Sequence, residues 1–150
     1  MYTIRTDYRD ETVIEKSRFI CTLKKVSSET EAQDFIKVVK KEFWDATHNC
    51  SAYIIDELAQ RSSDDGEPSG TAGLPMLEVL RKNQLSGVAA VVTRYFGGIK
   101  LGAGGLVRAY TGSVSKAVQS CGLARKILMG TFALSADAAD AGKLLNIIYQ

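Results

Sequence analysis

Residues 87–105 read GVAAVVTRYFGGIKLGAGG, an unbroken apolar run that passes directly into a glycine-rich turn. Gly87 to Phe96 has the near-continuous apolar character of a strand buried on both faces. Beyond the glycines, Val107, Tyr110, Val114, Ala117, Val118 and Cys121 recur at helical spacing and predict a helix from about Gly105 to Cys121. Arg108, Thr111, Ser115 and Lys116 fall on or near its polar side. A central strand feeding an amphipathic helix points to an α/β (α+β) domain, with helices laid on a sheet.

Upstream, Thr12 to Val26 reads as strand, with Phe19, Cys21 and Leu23 facing one way and polar neighbours the other. Ser28 with Glu31 three residues later forms a capping box. It opens a helix whose Ala32, Phe35, Ile36, Val39 and Phe43 share a stripe. His48 to Ile55 is a second strand, and Gln60 to Gly70 reads as loop. A helix is expected from Thr71–Pro75 to about Asn83, since proline is accepted in a first turn. Downstream, Arg125 to Ala136 reads as a last strand and Asp137 to Gln150 as a helix with Leu144, Leu145 and Ile148 apolar. Such a pair is too small to fold alone.

With 150 residues, 45% of them apolar and 24% charged, the chain has ordinary globular composition. No stretch approaches the roughly 20 apolar residues of a membrane span, and the start, MYTIRTDYRDE, lacks a secretory apolar core. Cys21, Cys50 and Cys121 are odd in number and lack metal-type spacing, which fits a reducing compartment. A cytoplasmic protein without metal, cofactor or membrane partner is expected. The net charge of +2 conceals an asymmetry. Residues 1–78 carry 10 basic and 15 acidic side chains, whereas residues 79–136 carry 8 basic ones and no acid. That distribution favours a polyanionic partner, unless the bases pair in space with acids of the first half.

Ten of the 13 glycines lie between Gly66 and Gly112. Gly97, Gly98, Gly102, Gly104 and Gly105 sit where a buried strand meets a helix start, with Lys100 in the loop and Arg108 one turn in. Unpaired N–H groups and partial positive charge at a helix start make this a candidate phosphate cradle. The spacing GGxxxGxGG is neither the dinucleotide fingerprint nor a Walker loop. A tight connection needing several left-handed residues is the alternative. Arg94 and Tyr95, at the strand exit, complete the candidate surface, with Tyr95 or Phe96 available to stack on a base. A second candidate loop, SDDGEPSGTAG (Ser63 to Gly73), gathers Asp64, Asp65, Glu67, Ser69 and Thr71. These could serve a hard cation such as magnesium, or hold a rigid turn and cap the next helix; the turn is favoured. His48 and Cys50 share a strand face roughly 7 Å apart, too far for an activated thiolate. No catalytic residue is assigned.

The strings HNCSAYII, DDGEPSGTAGLPMLEVL and above all VVTRYFGGIKLGAGGLVRAY resemble the IMPACT/YigZ family over roughly residues 1–125. The resemblance implies a ribosomal-protein-type domain with a left-handed βαβ crossover and two main helices packed on a mixed four- to five-stranded sheet. It also implies that residues 126–150 begin a second, ferredoxin-like domain similar to one of elongation factor G. Eukaryotic relatives regulate translation by competing for a partner of a starvation-responsive kinase. The resemblance carries no established catalytic residues; it marks Arg94, Gly97, Gly98, Lys100, Gly102, Gly104, Gly105 and Arg108 as the signature surface, alongside Asp65, Gly66, Glu67, Pro68, Ser69 and Gly70. The expected function is therefore a non-enzymatic, translation-associated regulator binding RNA or the ribosome. A protein–protein regulatory module with a translation-related partner, and a small enzyme acting on a phosphorylated metabolite, are the alternatives.

Overall fold

The computed structural model describes residues 1–126. The apolar run becomes β6 (Val88–Tyr95), seven of whose eight residues are buried, because it occupies the middle of a five-stranded sheet. Around it lie β2 (Tyr8–Ile14), β3 (Ser17–Lys25), β4 (His48–Asp56) and β5 (Ala59–Ser63), in the order β2-β3-β6-β4-β5. Alternate residues of β6 serve two cores. Val88, Ala90 and Val92 face the larger core, and Ala89 faces the smaller one. Three helices cover the sheet rather than two: α1 (Glu29–Glu42), α2 (Gly73–Lys82) and α3 (Gly102–Cys121). Though short, α2 buries six of its ten residues, four of them (Met76, Leu77, Val79 and Leu80) in the larger core, and is as structural as the two long helices.

The sheet was expected to be mixed, yet every pairing within it is antiparallel. The reason is that β6 returns between β3 and β4 and runs against both, so strands that point the same way never touch. β3 and β4 are joined through α1, and β5 and β6 through α2. The two connections step in opposite directions along the sheet, between strands of opposite sense, and their helices lie on opposite faces. Two such connections necessarily have opposite hands. One of them is therefore a left-handed crossover, against the strong general preference for right-handed ones.

The larger core lies between the sheet and α2 with α3; Tyr110 of α3 meets Phe19 of β3 edge to face at 5.4 Å. On the other face α1 covers β4 and β6, while β2 and β3 present mainly charged side chains around the buried Ile20. There the ion pairs Arg9–Glu42, Arg18–Glu11 and Lys24–Asp7 replace a helix, the usual solution for the wet half of an antiparallel sheet. At the start of α1, Ser28 Oγ accepts the Glu31 N–H, while the Glu31 carboxylate reaches Ser27.

Several boundaries differ from the sequence reading. The expected strand from Thr12 to Val26 is a hairpin, because Glu15 and Lys16 both take positive φ (48° and 66°) in a two-residue turn. Neither residue type announces a turn. Part of the expected Gln60–Gly70 loop is β5, an edge strand with no apolar pattern to betray it. β1 (Tyr2–Ile4) pairs with β7 (Leu123–Arg125) as a separate two-stranded sheet. α3 starts at Gly102, so Gly102, Gly104 and Gly105 belong to its first turn rather than to the loop. Apart from Lys126, the strand to Ala136, the helix Asp137–Gln150 and the ferredoxin-like segment at 126–150 lie outside the described residues.

Two local conflicts generate predictions. Asp10 sits on the core-facing row of β2 opposite Cys21, and its Oδ2 has no hydrogen-bond partner. Burial raises its pKa, with nearby Lys116 opposing. A carboxyl held above its unfolded value is best tolerated when protonated, so it destabilises the fold as pH rises through the raised value. Asp10→Asn should raise Tm at neutral pH, with the gain shrinking on acidification below the ordinary carboxyl range. Left-handed backbone at two side-chain-bearing residues also opposes folding. Glu15→Asn with Lys16→Gly should therefore increase unfolding free energy by about 1 kcal/mol in urea denaturation.

Candidate functional site

Both candidate loops reach the carboxyl end of β6, but they meet beneath the surface. The Glu67 side chain is 2% exposed and that of Arg94 6%. The guanidinium lies 2.9 and 3.2 Å from the two carboxylate oxygens, and the Tyr110 hydroxyl donates to the same carboxylate. Arg94 Nε also donates to Ser17 Oγ, which accepts the Gly97 N–H as well. Loop 64–73, β6, the hairpin turn and α3 are thus tied at one buried point. Arg94, expected on the phosphate-binding surface, is neutralised inside the protein and is a structural residue.

The remaining acids of the second loop are similarly engaged. Asp64 accepts backbone N–H groups from Gly70, Ala72 and Gly73. This supplies the cap that α2 lacks at its own N-cap residue. Burial alone would raise the Asp64 pKa, but those three donors outweigh it and hold it below the ordinary value. Asp65 accepts from Asn49 N–H and pairs with Lys40. Thr71 Oγ1 donates to Pro68 O, and Ser69 is exposed at the turn. The carboxylates do not converge on a common point, and no group of three metal-binding side chains occurs among the described residues. This loop holds a rigid turn, the alternative favoured in the sequence.

His48 and Cys50 line the same cluster. His48 Nδ1 lies 2.8 Å from the Asp65 carbonyl oxygen, which can only accept, so this nitrogen carries a hydrogen. Its Nε2 is 3.5 Å from Glu67. Cys50 donates to Asp64 O, and burial pushes its thiol up to about 12, which leaves it protonated and inert. Burial likewise raises the Tyr110 hydroxyl, keeping it a donor.

The glycine-rich segment faces outward. Lys100 and Arg108 line an open groove of about 450 Å³ together with Ile14, Glu15, Ile99, Leu101, Gly105 and Ala109. Neither cation has an ion-pair partner among the described residues. The Arg108 guanidinium folds back along Gly104 and Gly105. Gly98 and Gly102 take φ of 95° and 72°. Gly97 is needed for another reason: a Cβ there would stand 1.9 Å from the Lys16 carbonyl oxygen. That contact brings the hairpin turn, and with it Lys16, beside the glycine loop. Sequence reasoning missed Lys16, which lies 84 residues before Lys100. Tyr95 is half-buried, its hydroxyl donates to Asp45, and Arg18 lies over one face of its ring. Phe96 is 47% exposed.

Removing one partner of a buried ion pair leaves an uncompensated charge. Glu67→Ala should lower unfolding free energy by about 3–5 kcal/mol, measured by chemical denaturation. Replacing both partners, as in Glu67→Leu with Arg94→Leu, should recover much of that loss.

The description "Impact N-terminal domain" matches residues 15–118. The IMPACT family member YvyE of Bacillus subtilis is 57% identical over 147 residues, covering 97% of this chain and 68% of the relative. The IMPACT family member YigZ of Escherichia coli is 39% identical, covering 91% of this chain and 74% of that protein. A solved crystal structure described as that of an hypothetical protein superposes with a TM-score of 0.79 at 40% identity. This superposition covers 83% of the present chain and 63% of that one, so the chain spans less than two thirds of the solved protein. By its matched domain, these relatives and this superposition, the chain belongs to the IMPACT family.

Proposed function

We propose that this protein is a translation-associated regulator that binds RNA, free or in the ribosome, through the groove at the start of α3. The observation that carries the reading is the pair Lys100 and Arg108, lining an open groove without an ionic partner among the described residues. The backbone of Lys16 packs against Gly97, which sets this further basic residue on the hairpin turn next to the groove-lining Glu15. The first-turn N–H groups of α3 contribute positive potential. Glu15 in the groove lining subtracts from it. Of the bases in the acid-free segment, Arg94 and Arg81 are paired with Glu67 and Glu78 from the first half, which takes them off the candidate surface; Lys100 and Arg108 are the two that line the groove. The regulatory setting rests on the resemblance to a family whose eukaryotic members act in translation.

The enzyme reading loses its support with the loop acids, each engaged elsewhere. A protein-partner reading is favoured by one feature, the exposed apolar side chains Phe96, Ile99 and Val107 on the glycine segment and α3. A pull-down from nuclease-treated lysate separates it from RNA binding.

Filter binding provides the direct test. The protein should retain RNA at low salt, with affinity falling linearly in log units as salt rises. Lys100→Glu with Arg108→Glu should weaken retention at least about tenfold and flatten the salt slope by about 1.4. Glu15→Gln should tighten binding. No retention at low salt, or unchanged retention by the double variant, overturns the reading.

A further inference from the structure

The groove is not lined by charge alone. Lys100, Arg108 and Glu15 share it with Ile14, Ile99, Leu101 and Ala109. Ile99 is 39% exposed, and Phe96, at the exit of β6, is 47% exposed. A binding site for phosphates only needs no apolar lining, whereas apolar side chains gathered in one groove beside cations favour a ligand that has an apolar face as well as charge. RNA duplexes present phosphates and sugars outward while their bases stay stacked inside. Single strands offer both parts at once, a phosphate and an unstacked base with an apolar face.

Resting on the phosphate-binding reading above, we infer that the groove takes single-stranded RNA, seating one unstacked base on Ile14, Ile99 and Leu101 while Lys100 and Arg108 hold the flanking phosphates. Its volume of about 450 Å³ lies within the range that accommodates small ligands. Phe96, outside the groove lining but three residues before Ile99 and 47% exposed, offers a further aromatic face to the strand, with the Arg94 guanidinium 5.4 Å from the ring centroid. Arg94 thereby helps to orient the ring from below, although its own charge is matched by Glu67. The charge balance also suits a nucleic-acid strand better than an apolar peptide, because Lys100 and Arg108 exceed Glu15 within the lining and Lys16 stands next to it.

The test uses the intact chain with a short, labelled RNA of mixed sequence, single-stranded and as its duplex, in fluorescence anisotropy at one salt concentration. The single strand should bind about tenfold more tightly. Ile99→Ser and Phe96→Ala, both at exposed positions and checked for unchanged Tm, should each weaken single-strand binding about fivefold or more and leave duplex binding unaltered. Equal affinity for the two forms, or a single-strand preference that both variants leave untouched, overturns the base seat while phosphate binding stands. Failure of both RNA forms to bind at low salt overturns the base seat and the phosphate-binding reading together. A protein partner that survives nuclease treatment and is lost with Ile99→Ser, in a chain that binds no RNA, assigns the apolar lining to a peptide and likewise overturns the inference.

Discussion

A single buried ion pair organises the carboxyl end of the sheet. Arg94 arrives on the central strand, where a charge would be intolerable without a partner, and Glu67 arrives on a loop that has no other reason to enter the core. Tyr110 fills a remaining acceptor position on the carboxylate, and Ser17 joins Arg94 to the Gly97 amide. Low local dielectric makes each of these contacts strong when all are present and the whole arrangement costly when one is missing. The pair therefore fixes where the loop, the hairpin turn and the start of α3 stand relative to each other.

The surface groove depends on this arrangement. Glu15, Lys100 and Arg108 line it from a hairpin turn, a glycine loop and a helix, and the tight approach of Gly97 to the Lys16 backbone holds the turn against the loop. Conserving charge in the groove would have little effect if that approach were lost. The division of labour is clear in chemical terms. Buried charges hold the scaffold, and Lys100 and Arg108 line the groove without an ion-pair partner among the described residues.

Much of the fold was legible because its central strand is apolar on both faces and its helices carry regular stripes. The capping pair Ser28 and Glu31, the run ending at Tyr95 and the helix through Val114 and Val118 all follow local rules. What was not legible is long-range or contrary to local preference. Glu15 and Lys16 adopt a turn that their side chains oppose, β5 lacks an apolar pattern, and β1 is too short to signal itself. Within the candidate site, the sequence marks Lys100 and Arg108 through the glycines around them, and the structure adds that both line one groove. Arg94 was not readable as buried, because its neutralising partner stands 27 residues away and only folding brings them together.

The pairing of β1 with β7 carries a kinetic corollary. Tyr2 lies opposite Arg125, so β1 cannot pair with β7 until the 123 residues that follow Tyr2 have been made. Contacts of such high sequence separation close late and slow the search for the native topology. During synthesis β1 therefore waits unpaired while the five-stranded sheet between it and β7 is already able to form.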